Sequence, residues 1–220
     1  MLCMNRPEGL SSTSSISSGL PTQCYFDTVL VPLPTWILLV ALVVCHFIFP
    51  ASLAGRSRAT TKRWVRIVLL TLYYFFIGVI ILMESVEVSR LVQIDIGVGL
   101  IPFVYAGCLV AGVMQATEGV RGRIRGWQVA NLLFWVLSLC ITAVKVTAVN
   151  KFGSDGPLAR NDTAYPIIHQ ANDLNILIAF YALLTGLEVV LLFVRPVSGE
   201  GSFDGGRSEA HELLKRQDLP

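Results

Sequence analysis

The ionisable side chains with the greatest chemical potential lie inside, or at the ends of, strongly apolar segments: Glu84, Glu87, Lys145, His46 and Glu188. Such groups are rare within a membrane and often mark functional sites. At 1.5 Å per helical residue, Glu84 lies ~30 Å above Trp64 and Lys145 ~27 Å above Trp127. Because these depths match, the sequence allows an ion pair between Lys145 and the carboxylates of Glu84 and Glu87.

A second pair is allowed nearer the other end of the same segments. His46 and Glu188 each lie roughly 10–15 Å from the basic residues that follow them in the chain. One interpretation is that both pairs join helices within a bundle. The other is that they form a binding pocket or a proton relay. In its enzymatic form, a protonated Glu188, or Glu84 with Glu87, would be the general acid acting on a lipid or terpenoid substrate.

Motifs for other chemistry are missing from the sequence. It contains no phosphate-binding G-x-x-x-x-G-K-[ST], no His-x-x-x-His pair and no C-x-x-C. The histidines, His46, His169 and His211, lie in three separate parts of the chain and cannot jointly hold a metal or a haem. We therefore expect no cofactor, no bound metal and no catalytic residue, and hence a protein that is not an enzyme.

Apolar segments long enough to cross a bilayer must position these groups. Of the 220 residues, 54% are apolar and only 15% are charged, against about 25% charged in a typical soluble domain. A transmembrane helix needs ~20 apolar residues, and such segments cover residues 29–49, 64–83, 97–116, 127–149 and 174–194. The sequence predicts an all-α, five-helix membrane domain over residues 29–196. It excludes a soluble enzyme, a nucleic-acid binder and a disordered regulator.

The distribution of lysine and arginine predicts the orientation, because cytoplasmic loops carry the excess of both. On the side bearing residues 50–63 the basic residues are numerous: Arg56, Arg58, Lys62, Arg63, Arg66, Arg121, Arg123, Arg125, Arg195, Arg207, Lys215 and Arg216. On the opposite side they are few: Arg6, Arg90, Lys151 and Arg160. We therefore expect a serine-rich external tail over residues 1–28 and a flexible cytoplasmic tail over 197–220.

This orientation makes three further predictions. The inner basic residues Arg56, Arg58, Lys62, Arg63, Arg66, Arg121, Arg123 and Arg125 should contact anionic lipid head groups. Cys3 and Cys24 lie on the oxidising side and should form a disulfide, whereas Cys45, Cys108 and Cys140 are expected to be buried apolar residues. The sequon at Asn161 lies in an external loop, where it can be glycosylated.

Several short motifs resemble the amino-terminal five-helix accessory domain of subfamily C ABC transporters, the group that includes multidrug-resistance-associated proteins and sulfonylurea receptors. They are an external cysteine at Cys3, the run CYFDTVLVP at 24–32, MESVE at 83–87, ITAVK at 141–145, and a glutamate followed by an arginine within 187–195. In that family a paired cysteine and a C-F-x-(D/N) turn precede the first helix. The match covers roughly residues 3–196.

The resemblance implies a docking role, in which the domain recruits a partner membrane protein, such as an ABC transport core or a channel, and affects its trafficking and regulation. It also implies a multi-pass protein of the plasma or vacuolar membrane, with the endoplasmic reticulum as another possible location. The sequence departs from the full transporters because it has no transport core and no nucleotide-binding domain. We expect either a free-standing domain or the leading fragment of a larger transporter.

Overall fold

The computed structural model describes Cys3 and residues 22–48, 63–121, 125–154 and 165–194, and within these ranges all regular structure is helical. The helices are α1 (Gln23–Tyr25), a π-helical turn (Phe26–Leu30), α2 (Leu33–Ile48), α3 (Arg63–Gln93), α4 (Phe103–Arg121), α5 (Arg125–Ser154) and α6 (Ile167–Val194). The prediction of an all-α membrane bundle is confirmed. The tails, apart from Cys3 and residues 22–28, lie outside the described residues.

The first membrane-crossing segment, Gln23–Val44, contains an irregular turn caused by two prolines. Pro32 and Pro34 have no backbone N–H, so each removes a helical hydrogen bond. The chain adapts with a wider turn in which the Val31 amide donates to the Phe26 carbonyl at 2.8 Å. Single π turns of this kind often occur at functional positions in helices. Here the turn contains Asp27, which is buried.

The largest extensions beyond the predicted segments are those of α3 and α6. The second segment was expected to end at Met83, but α3 continues to Gln93 and has 31 residues, about 46 Å in length. α6 begins at Ile167 rather than near Leu174. In both cases the additional turns carry polar residues that are buried against other helices, which an apolarity criterion does not detect.

The third predicted segment is shorter in the structure than in the prediction. Residues 97–102 form turns rather than helix, and Gly99 has a φ of +61°. α4 starts directly after Pro102. Because proline has no backbone N–H, a helix that ran through Pro102 would lose a hydrogen bond there. Within the described residues, four helices are long and apolar enough to cross a membrane, and the apolar stretch Phe103–Ala116 is a shorter fifth one.

The core lies where α5 packs against α6, with α2 against α5 and α3 against α6. Trp135 is fully buried at its centre, and its ring centroid lies 6.2 Å from those of both Tyr73 and Tyr181. A separate small cluster of Leu91, Ile101 and Tyr165 lies at one end of the bundle. We call this the outer end, following the predicted orientation, and the opposite end the inner end.

Candidate functional site: two buried polar clusters

Lys145 of α5 is the centre of a buried group of charges near the outer end. Its Nζ lies 2.8 Å from Oδ1 of Asp27 and 3.0 Å from Oε1 of Glu87. The Lys145 side chain is 4% exposed and both carboxylates are 1% exposed. Breaking such a pair by removing one partner is strongly destabilising, because an uncompensated charge stays buried. This arrangement therefore ties the π-helical turn, α3 and α5 together.

Further polar contacts join α6 to the same charges. The side-chain amide of Gln170 donates to Oε1 of Glu87 at 3.1 Å, and the hydroxyl of Tyr181 donates to Oε1 of Glu84 at 3.2 Å. We call Asp27, Glu84, Glu87, Lys145, Gln170 and Tyr181 the outer cluster. It contains three carboxylates and one ammonium group, contributed by the π-helical turn, α3 and α5, and two neutral donors from α6.

The position of Asp27 depends on a close contact with the turn before α4. The amide of Leu100 donates to the carbonyl oxygen of Asp27 at 2.9 Å. A β-carbon built on Gly99 would lie only 2.8 Å from that same oxygen. A glycine is required here on both counts, since it has no β-carbon and it tolerates a positive φ.

A half-exposed ion pair covers the outer end of this cluster. The guanidinium of Arg90 pairs with Oδ2 of Asp173, and the Tyr165 hydroxyl donates to the same oxygen at 2.9 Å. The Arg90 guanidinium also lies 5.2 Å from the centroid of the Tyr165 ring, within the range of a cation–π contact. Burial, with the nearby Glu87 and Asp173, raises the pKa of the Tyr165 hydroxyl, so this group stays a hydrogen-bond donor.

A second buried group surrounds Glu188 of α6, nearer the inner end. Oε1 of Glu188 accepts hydrogen bonds from the Tyr73 hydroxyl at 2.9 Å and from the Asn131 amide at 2.7 Å. The Gln115 amide nitrogen lies 2.7 Å from both carboxylate oxygens. These donors come from α3, α4 and α5, so the carboxylate joins four helices. We call these residues, with Trp135, the inner cluster.

The hydroxyl of Tyr73 is fully used in this cluster. It donates to Glu188 while it accepts from the Asn131 amide at 3.1 Å and from the Trp135 indole N–H at 3.0 Å. A hydroxyl has one donor and two acceptor positions, so all three are occupied. The side-chain oxygens of Gln115 and Asn131 have no hydrogen-bond partner among the described residues, so within the cluster this saturation belongs to the hydroxyl. Because Glu188 accepts hydrogen bonds from three other helices, the inner cluster is suited to holding the helices in register.

The structure brings some of the sequence-predicted residues together and separates others. Lys145 contacts Glu87, whereas Glu84 has Tyr181 as its hydrogen-bond partner. Cys3 and Cys24 lie side by side with Cα atoms 5.7 Å apart, a normal separation for a disulfide. Cys108 is buried as expected, but Cys140 is exposed on the bundle surface.

Other sequence predictions fall outside the described parts of the chain. The side chain of His46 is not described, so the His46–Glu188 pair stays a prediction. The same holds for glycosylation of Asn161 and for lipid binding by the basic residues, whose side chains are not described: Arg56, Arg58, Lys62, Arg63, Arg66, Arg121, Arg123 and Arg125.

Sequence reasoning missed neutral members of both clusters and the ion pair of Asp27. Asp27 was recognised only as part of a motif, and Tyr73, Gln115 and Asn131 were not singled out at all. The available signal was a polar amide within an apolar segment, since an amide facing lipid would be unsatisfied. Gln115 and Asn131 both meet that description, and both are buried.

The described contacts of these two clusters run between the helices of the bundle itself. Within the described ranges, no group of three or more His, Cys, Asp or Glu residues could hold a metal ion. A cavity beside Glu84 has a volume of about 20 Å³, which is the space that roughly one water molecule needs.

These features define an integral, multi-pass helical membrane domain whose buried charges join its own helices. A family model described as the ABC transporter TMD0 domain matches residues 1–152, and the chain belongs to this family. The resemblance inferred from the short motifs is thereby confirmed. The matched part includes Asp27, Glu87 and Lys145, whereas Glu188 lies beyond it. No curated protein matches the chain, and no solved structure matches it.

Proposed function

We propose that this chain is a non-catalytic accessory domain that docks onto another membrane protein, with an ABC transport core as the first candidate. The observation that carries this proposal is the family match over residues 1–152, which includes the ion pairs of Lys145. The two clusters support it, because their charged and amide groups are directed at each other rather than at a substrate-sized cavity. Their role is to keep the bundle rigid while its lipid-facing surface binds the partner protein.

A surface suited to such docking lies on α6. Ala179, Ala182 and Gly186 occupy one face of this helix and are all exposed. A β-carbon at Gly186 would meet nothing within 4 Å, so this face has space for a neighbouring helix. Small residues let transmembrane helices approach closely, and close packing drives helix association in lipid.

Crosslinking in the native membrane, followed by detergent extraction and mass spectrometry, tests this proposal. We expect a stoichiometric membrane partner, and we expect the variants Ala182→Leu and Gly186→Leu to reduce its recovery at unchanged expression. The control is Val129→Leu, on an exposed position of α5, which should recover the partner normally. A protein that is monomeric and unpartnered in its own membrane would contradict the proposal.

A further inference from the structure

A cavity of about 20 Å³ lies beside the outer cluster and is lined by residues of all five long helices, α2 to α6. Its polar lining consists of Thr35, Glu84, Ser138, Thr142, Lys145 and Tyr181. This volume suffices for one water molecule, which needs roughly 10–15 Å³ and two to four polar partners. Dry cavities in proteins are usually lined by apolar groups, and this one is not.

The hydroxyl of Thr35 is the first group that indicates a bound water. Thr35 is 0% exposed, and its Oγ1 has no hydrogen-bond partner among the described residues. Leaving a buried hydroxyl unsatisfied costs about 1–3 kcal/mol. Thr35 also packs closely against Gly107, where an added β-carbon would lie 2.5 Å from Oγ1, so residue 107 itself has no side chain that could be the partner.

Lys145 supplies the second group. An ammonium group has three N–H donors; one donates to Glu87 at 3.0 Å, and the Nζ atom forms an ion pair with Asp27 at 2.8 Å. Because Lys145 also lines the cavity, a remaining donor can reach a water molecule there. Glu84 lines the same cavity, and its carboxyl group provides an acceptor for one of the hydrogens of that water.

We propose that this cavity binds one ordered water molecule that accepts a hydrogen bond from Lys145 and bridges to the Thr35 hydroxyl and the Glu84 carboxylate. Through this water, α2 is joined to the charges of the outer cluster. No direct hydrogen bond of the Thr35 hydroxyl makes that connection, because this hydroxyl has no hydrogen-bond partner among the described residues. The water site is thus part of what fixes the first transmembrane segment against α3 and α5.

The first test compares Thr35→Ser with Thr35→Ala in the full chain in lipid nanodiscs. Both variants lose the same methyl group and neither adds an atom against Gly107, so they differ only in the hydroxyl. If the hydroxyl binds water, Thr35→Ala melts lower than Thr35→Ser, by about 2–4 °C for each 1 kcal/mol lost. If the hydroxyl is unsatisfied, its removal relieves a cost, and equal or reversed melting temperatures overturn the proposal.

The second test fills the cavity from its apolar side. Val104 lines the cavity, so Val104→Ile should displace the water and lower the melting temperature, whereas filling a dry cavity would raise it. The control is Val113→Ile on the exposed face of α4, which should melt like the parent chain. An experimental structure that resolves bound waters decides directly, because we expect density between Thr35 and Lys145, and a clean empty cavity overturns the proposal.

Discussion

The carbonyl oxygen of Asp27 occupies the space that a β-carbon on Gly99 would need, at a distance of 2.8 Å. At this contact the turn before α4 packs directly against the π-helical turn before α2. It fixes the backbone of Asp27, whose side chain pairs with Lys145. The position of one buried charge therefore depends on a glycine that lies far away in the sequence.

We expect Gly99→Ala to destabilise the bundle. The new methyl group meets the Asp27 backbone, and the positive φ of residue 99 is itself unfavourable for alanine, at a cost of order 1–3 kcal/mol. The matched control is Gly78→Ala in α3, where a β-carbon meets nothing within 4 Å and alanine is the better helix former. Thermal unfolding of purified protein should show a lower melting temperature for the first variant only, and equal stability of the two would contradict this role of Gly99.

Lys145→Met should be among the most destabilising single changes. It leaves the buried carboxylates of Asp27 and Glu87 without this cation, and breaking a buried pair in this way costs about 3–5 kcal/mol. Arg90→Met is the comparison, because the Arg90 side chain is 42% exposed and its loss should cost less than about 2 kcal/mol. Melting temperature and membrane expression level are the measurements.

A charge-balancing variant separates this mechanism from a simple packing defect. Adding Asp27→Asn and Glu87→Gln to Lys145→Met removes the uncompensated charges, so we expect part of the stability to return. If the triple variant is no more stable than Lys145→Met alone, the loss comes from packing rather than from charge.

Glu188→Gln tests whether the inner cluster is structural. The glutamine keeps one acceptor oxygen but presents an amide nitrogen to the donors around it, so a loss of about 1.5–3 kcal/mol in stability is expected. Thr185→Val is the control one turn earlier in α6, because its hydroxyl bonds only within its own helix. Partner binding per folded molecule should not change. Full stability combined with lost cellular activity would instead support acid chemistry at Glu188.

The pairing of Cys3 with Cys24 is open to direct chemical test. Mass mapping without reduction should recover the two cysteines in one linked peptide. The bond closes a loop of 21 residues in sequence separation, for which the chain-entropy model predicts roughly 3 kcal/mol of stabilisation. A reducing agent should therefore lower the melting temperature of the parent chain and of Cys140→Ser, but not that of the variant lacking Cys3 and Cys24. Two free thiols would exclude the disulfide.

The sequence predicted the helices and the matching depth of Lys145 and the carboxylates of α3, because both follow from local apolarity and helical rise. It did not predict which carboxylate Lys145 contacts. That choice depends on the π-helical turn and on Gly99, which bring Asp27 to the ammonium group through contacts distant in sequence. The C-terminal end of α3 and the N-terminal start of α6 were also missed. The polar residues in these turns are buried against other helices, and no local sequence pattern reveals that contact.

The apolar part of α4, Phe103–Ala116, is only about 21 Å long, against roughly 30 Å of hydrocarbon in a typical bilayer. A short hydrophobic surface draws the neighbouring lipid inward, and such mismatch costs fractions of a kcal/mol per Å. We therefore expect the bilayer to be thinner beside α4 than beside α3, which is the longest helix. Membrane proteins with equally short apolar helices would then meet this side of the domain at the lowest elastic cost.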